Sequence, residues 1–178
     1  MSFPSKTLTA GMALITAVDW SAAYQELLPR VFHYFCLRTG DAAEAEDLTS
    51  ATFERAWKSR MRYRQDRGGF ESWLFGIARH VAISHFRRRR RAESAADLPE
   101  HSTWRPIEEA ADRRQQFQRL AALLDRLPAR EREIFALKYG ARFTNRAIAS
   151  SLNLSESNIG TIVHRVLGQL RDQLQEGP

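Results

Sequence analysis

Segment 70–86, FESWLFGIARHVAISHF, constrains the fold more than any other stretch of the chain. On a helical wheel Phe70, Trp73, Leu74, Ile77 and Val81 occupy one side, and Phe75, Ile83 and Phe86 fall roughly opposite. Only a narrow strip holding Gly76, His80, Ser84 and Arg87 is left polar. A helix that is apolar on two sides needs more than one neighbour to cover it, so it belongs at the centre of a bundle. Five arginines at 87–91 follow without a break. Cations suit the negative end of a helix dipole, so the run reads as the continuation of a rigid element rather than as a free tail.

The preceding segments supply the neighbours. Over 21–38, Tyr24, Leu27, Leu28, Val31, Phe32 and Phe35 recur at spacings of three and four. That period predicts an amphipathic helix despite Pro29, ended by Gly40. Asp41 and Glu44 have the spacing of a capping pair and open a second helix. Its inner stripe is Ala45, Leu48, Thr52, Phe53, Ala56 and Trp57, and its outer face carries Glu44, Asp47, Glu54 and Arg55. The loop SRMRYRQDRGG joins it to the third helix.

Beyond the arginines the period vanishes. Segment 92–110, AESAADLPEHSTWRPIEEA, has two prolines and five acids against one arginine, the composition of an extended acidic linker. Helical spacing resumes at Phe117, Leu120, Ala121, Leu123 and Leu124. Pro128 then stands where a first helical position is expected, and Gly140 closes that helix after Ile134, Phe135, Leu137 and Tyr139. No stretch alternates with the period of a strand. The expected fold class is all-α: two helical domains, 18–91 and 113–176, joined by a flexible linker at 92–112.

Charge divides the chain at the end of the arginine run. Through Arg91 there are 15 Lys and Arg against 9 Asp and Glu, and beyond it, linker included, 12 against 12, so the excess of +6 lies in the sequence through Arg91. Such a surface concentrates polyanions, because protein cations release counterions condensed on phosphates. Cys36, the only cysteine, lies among Phe32, Phe35 and Leu37 and is expected to be a buried, inert thiol with no disulfide. The apolar patch AGMALITAV lacks the flanks of a signal peptide, and no run is long enough to span a bilayer, which places the chain in the cytoplasm away from any membrane. The five histidines are scattered and the acids sit on a helix surface without accompanying ligands. No catalytic residue, metal, cofactor or small-molecule substrate is therefore expected.

The motif that carries function is TNRAIASSLNLSESNIGTIVHRVLGQLRDQL. Thr144 is placed to cap a short helix ending near Leu152, Asn153 and Leu154 make a turn, and Ser155 is placed to cap a second helix running toward Leu174. A helix-turn-helix needs a small residue where the helices touch, a residue tolerant of the left-handed region in the turn, and apolar anchors on both sides. Ala149, Asn153 and Ile159 meet these needs, with Ile148, Leu152, Leu154 and Val163 filling the angle. The second helix would then present Ser157, Asn158, Thr161, His164 and Arg165 to a major groove. In the first unit the loop places arginines and aromatics beside the basic helix, a combination that holds single strands by stacking and backbone contact. Trp57 and Trp73 are expected in the core, while Tyr63 fits either role.

Three linked motifs, GDAAEAEDLTSATFERAW, GGFESWLFGIARHVAISHFRRRRR and LDRLPAREREIFALKYG followed by TNRAIASSLNLSESNIGTIVHR, resemble the bacterial sigma factors of the extracytoplasmic-function group over about residues 24–174. The resemblance implies a dissociable, non-catalytic subunit of RNA polymerase that selects promoters and starts strand opening. It implies docking of the acidic second helix, through Asp47, Leu48, Phe53 and Glu54, on the clamp helices of the largest polymerase subunit. It implies minus-ten recognition by the loop at about 61–69, including Arg62, Tyr63 and Arg64, and by Arg79, His80, Ser84, Arg87 and Arg88 on the helix after it. Ser155, Ser157, Asn158, Thr161, His164 and Arg165 fall to the minus-thirty-five element, and an anti-sigma factor is a further candidate partner. Family members usually carry Asn and Asp where His80 and Ser84 stand, and often basic residues where Gly160 and Ile162 stand. The rival reading is a helix-turn-helix regulator that binds duplex operators without polymerase. Tight sequence-specific binding by the isolated protein would distinguish it.

Overall fold

The structure is a computed structural model that describes residues 18–94 and 111–175. The apolar patch near the start of the chain and most of the acidic linker lie outside the described residues. Helix α1, Trp20–Thr39, starts where the Asp19 carboxylate accepts the backbone N–H groups of Ser21 and Ala22, each at 3.0 Å, and ends at left-handed Gly40 (φ 74°). Helix α2, Ala42–Lys58, starts on Asp41, whose Oδ1 accepts the Glu44 N–H at 2.8 Å. The Glu44 carboxylate does not close a reciprocal box. It faces His85 and Arg89 of the third helix instead, at 3.4 and 3.9 Å.

Helix α3, Phe70–Glu93, runs through all five arginines without interruption. Leu74, Phe75, Ala78, Val81 and Ala82 are buried, as a central helix requires. Ile83, expected under a neighbour, is 52 % exposed, because the covering helices reach only the near flank of α3 at that turn.

The second unit comprises α4 (Ala111–Asp125), α5 (Ala129–Phe135), a π-helical turn (Ala136–Gly140), α6 (Asn145–Leu152) and α7 (Glu156–Gln175). Pro128 stands one residue earlier than expected, as the cap before α5, where its carbonyl accepts the N–H groups of Glu131 and Arg132 at 2.9 and 3.1 Å. A separate apolar cluster of Leu124, Phe135, Val166 and Leu170 ties α4 and α5 to α7.

The two units share one core. Val31, Tyr34, Phe35, Leu74 and Phe75 of the first are continuous with Ile134, Leu137, Phe143 and Ile148 of the second. The Phe75 and Phe143 rings meet at 4.9 Å, and burial of such a side chain stabilises by about 1.5–3 kcal/mol. Gly140 is the tightest point: a Cβ there would lie 2.7 Å from the Cα and N of Tyr34. Its backbone is not left-handed, so close approach to α1 explains this glycine, rather than helix termination. Two arginines of α1 lean across the same seam. Arg30 donates through Nε to the Ala141 carbonyl at 2.9 Å and pairs with Glu71, while Arg38 donates to the Ala129 carbonyl at 3.0 Å beneath the Phe86 ring.

Candidate nucleic-acid interface

The loop between α2 and α3 is built from two single 3-10 turns, Arg60–Arg62 and Gln65–Arg67, followed by Gly68 at φ 139°. Met61, Arg62 and Arg64 are exposed, and Arg64 forms a fork with Asp66 at 3.1 and 2.8 Å. Tyr63 is half-buried, its ring packed on Phe70 at 5.5 Å and Trp73 at 5.3 Å, with its hydroxyl 3.4 Å from the Gly68 carbonyl. Trp73 lies within this aromatic cluster. Trp57 departs from the expected core position: it is 53 % exposed, one residue before α2 ends, where Trp20 of α1 meets its indole edge-on at 5.4 Å without covering it. The Arg60 guanidinium stacks on its indole at 4.2 Å.

Along α3, His80, Arg87 and Arg88 are exposed and Ser84 is half-buried, so the four share one accessible flank at helical spacing. Arg79 is engaged differently. Its Nε donates to Glu133 of α5 at 2.7 Å and its Nη1 to the Ser151 carbonyl at 2.9 Å, leaving the side chain 24 % exposed. In this arrangement the second unit sits on one of the expected minus-ten residues.

On α2, Asp47 and Glu54 are exposed, and Glu54 is paired with Lys58, which holds its carboxyl below the usual range. Phe53 is half-buried against the Tyr24 ring at 4.7 Å. Leu48, grouped with these residues from the sequence, is only 6 % exposed and points into the core, because it lies on the face of α2 that meets α1. It supports that surface from beneath and cannot itself touch a partner.

The helix-turn-helix forms as its residues dictate. Thr144 accepts the Ala147 N–H at 3.1 Å, Asn153 adopts the left-handed region at φ 54°, and Ser155 Oγ accepts the Asn158 N–H at 3.2 Å. Ile148, Ala149, Ile159 and Val163 are buried between the helices. Ser155, Ser157, Asn158, Thr161, His164 and Arg165 are all exposed. Arg165 is held by Glu131 of α5 at 2.6 Å. Gly160 and Ile162 are both half-buried. A Cβ at Gly160 would lie 3.6 Å from the Asn145 amide, and Ile162 packs against both apolar clusters.

Sequence reasoning missed Trp20, whose ring meets those of Trp57, Phe70 and Trp73, and it missed Glu131 and Glu133, which hold Arg165 and Arg79. Among the described residues no group of three or more His, Cys, Asp or Glu side chains is placed to hold a metal ion.

The comparisons with known proteins agree with this geometry. Residues 23–92 match the family model of Sigma-70 region 2, and residues 117–170 that of Sigma-70 region 4. The chain is 30 % identical to the ECF RNA polymerase sigma factor SigL of Mycobacterium tuberculosis over 172 residues, covering 94 % of this chain and 95 % of that protein. It is 25 % identical to the ECF RNA polymerase sigma factor SigM of Bacillus subtilis, covering 86 % and 94 %. Among solved structures, the sigma factor RpoE from Bartonella quintana, in complex with the anti-sigma factor NepR, shares the fold with a TM-score of 0.72 at 22 % identity, over 90 % of this chain and 99 % of that one. CnrH, in complex with the cytosolic domain of CnrY, does so with a TM-score of 0.63 at 18 % identity, over 96 % and 97 %. With both halves matched in order and a relative aligned end to end, the chain belongs to the extracytoplasmic-function sigma factors of bacterial RNA polymerase.

Proposed function

We infer that this chain is a non-catalytic initiation subunit that binds core RNA polymerase and directs it to promoters. The observation that carries this is the pairing, on one chain, of a helix-turn-helix with an arginine-ended rod flanked by an aromatic loop. A duplex reader and a single-strand reader are both needed where DNA is first located and then opened. A regulator acting without polymerase has no use for the second.

The division of labour follows the two units, 18–91 and 113–176, with 92–112 as their connection. Arg62, Tyr63 and Arg64 of the loop, with Arg79, His80, Ser84, Arg87 and Arg88 of α3, take the minus-ten element. Ser155, Ser157, Asn158, Thr161, His164 and Arg165 take the minus-thirty-five element. Asp47, Phe53 and Glu54, backed by Leu48, form the polymerase-docking face of α2. Since Arg79 is held by Glu133 and Ser151, its use on DNA requires the two units to separate. An anti-sigma factor is a candidate partner, because the sigma factor RpoE, which shares this fold, is held in its structure by the anti-sigma factor NepR.

No helix among the described residues is long and apolar enough to cross a membrane, and the site of action we assign is the cytoplasm, where the polymerase works. The test is transcription in vitro with purified core polymerase on a library of genomic fragments. Start sites that appear only with this protein are the expected result. Absence of both core binding and new start sites overturns the reading.

A further inference from the structure

The minus-ten loop is tied within itself by the Arg64–Asp66 fork and to the rest of the fold by aromatic contacts. Its two 3-10 turns are one turn each, and those aromatic contacts stand on different helices. At its start Arg60 stacks on Trp57, the penultimate residue of α2, at 4.2 Å and donates to the Trp57 carbonyl at 2.8 Å. At its end Tyr63 rests on Phe70 and Trp73 of the first turn of α3, at 5.5 and 5.3 Å. The packing of α2 on α3 sets how far apart these two supports stand, and the contacts among their rings set the angle at which they hold the loop.

Trp20 lies between them. Its ring is 5.4 Å from Trp57, 5.0 Å from Phe70 and 6.3 Å from Trp73, with interplanar angles of 89°, 85° and 83°. Edge-to-face contacts are directional, so three of them on one indole set the mutual orientation of the partner rings as well as their spacing. The indole is itself anchored, because Trp20 is the first residue of α1 and Asp19 caps that helix. It precedes residues 23–92, the part of the chain that the Sigma-70 region 2 model describes.

We propose that Trp20 is a positioning residue for minus-ten recognition, bridging Trp57 to the Phe70–Trp73 pair so that the loop holds Tyr63 and its arginines in the geometry that receives an unpaired non-template base. The inference rests on the assignment of this loop to the minus-ten element. Trp20 touches no DNA; it acts through the rings that fasten the loop.

The test uses full-length protein assembled with core polymerase. The probe is a forked duplex cut from a start site mapped with that holoenzyme on genomic fragments, with 2-aminopurine at successive minus-ten non-template positions. Trp20→Ala and Trp20→Leu are expected to bind core within twofold of wild type. Both should lose at least tenfold in affinity for the fork, the fluorescence rise of the unstacked base, and most of the preference for the intact minus-ten sequence over a base-substituted one. Trp20→Phe, which keeps a ring, should restore all three to within about threefold. Trp20→Leu keeps the probe decisive if the alanine variant fails to fold, since it fills space without a ring; full discrimination by this variant overturns the proposal. Loss of core binding in step with fork binding overturns it too, since that marks a general structural role. Tyr63→Ala separates the two levels. If it loses the base signal while Trp20→Ala keeps it, only the Trp20 inference falls. If Tyr63→Ala changes nothing, the assignment of the loop falls, and this inference with it.

Discussion

Replacing Gly140 by alanine adds one methyl group at the point where the two units press hardest together. The new Cβ would lie 2.7 Å from two backbone atoms of Tyr34 and 2.9 Å from the His33 carbonyl carbon. Carbon atoms in contact prefer about 3.5–4.0 Å, so α1 and the π-helical turn must part by roughly 1 Å. Neither side can yield by a rotamer change, because the obstructing atoms belong to the backbone of a helix whose Val31, Tyr34 and Phe35 are fully buried. Overpacking of this kind costs about 1–3 kcal/mol, which for a chain of this size corresponds to a midpoint lowered by about 2–12 °C. The assay is thermal unfolding of the whole chain, with Gly168→Ala as control. Gly168 lies inside α7 with nothing within 4 Å of its added Cβ, so the same substitution there should stabilise by about 0.5–1 kcal/mol. One chemical change thus has opposite signs at two sites. Should Gly140→Ala melt at or above the wild-type temperature, Tyr34 does not rest on residue 140 in solution and the shared core is wrong.

Further expectations concern binding and titration. Arg165→Ala should lower transcription from promoters that have an upstream element by about tenfold, within the range of one base or phosphate contact, with core binding unchanged by pull-down. Asp47→Arg, a charge reversal on the exposed face of α2, should weaken core binding by at least about tenfold in a competition assay, and normal assembly would remove that docking face. Burial pushes the Cys36 thiol from 9.0 up to about 12. At pH 8 the folded protein should hold about a thousandfold less thiolate than the unfolded chain and resist iodoacetamide accordingly; alkylation at equal rates in both states contradicts the buried site. The sign for stability follows: folding favours the protonated thiol, so the contribution is complete below pH 9 and is lost as pH rises toward 12. Burial likewise pushes the Tyr34 hydroxyl from 10.0 up to about 12 and adds to the same alkaline loss, which urea titrations between pH 8 and 11 would register.

What was legible in the sequence was local. The caps at Asp41, Thr144 and Ser155 and the left-handed turns at Gly40 and Asn153 follow from side chains acting on backbone within three residues, and all are present. The helix-turn-helix surface followed for the same reason. What escaped involves partners far apart in the chain. Trp57 keeps the period of an inner stripe, yet the stripe outlasts the neighbours that would bury it. Gly140 looked like a helix stop, because nothing near it in sequence announces that Tyr34 lies against it. Arg79 looked free for DNA, since its partner Glu133 is 54 residues away. Trp20 precedes the first apolar repeat and gave no periodic signal at all.

The unbroken course of α3 through its arginines has a geometric corollary. An α-helix turns once in 3.6 residues, so five consecutive side chains sweep past a full circle. The guanidinium groups therefore make a collar around the tip of the rod instead of a stripe down one flank. A collar attracts a polyanion from any azimuth and tells it nothing about which way to lie. Arg89 already turns toward Glu44, on the protein side of the collar. Orientation on the nucleic acid must then come from the flank that Arg87 and Arg88 share with His80 and Ser84, so a chain shorn of Arg90 and Arg91 alone should search more slowly while choosing the same sequences.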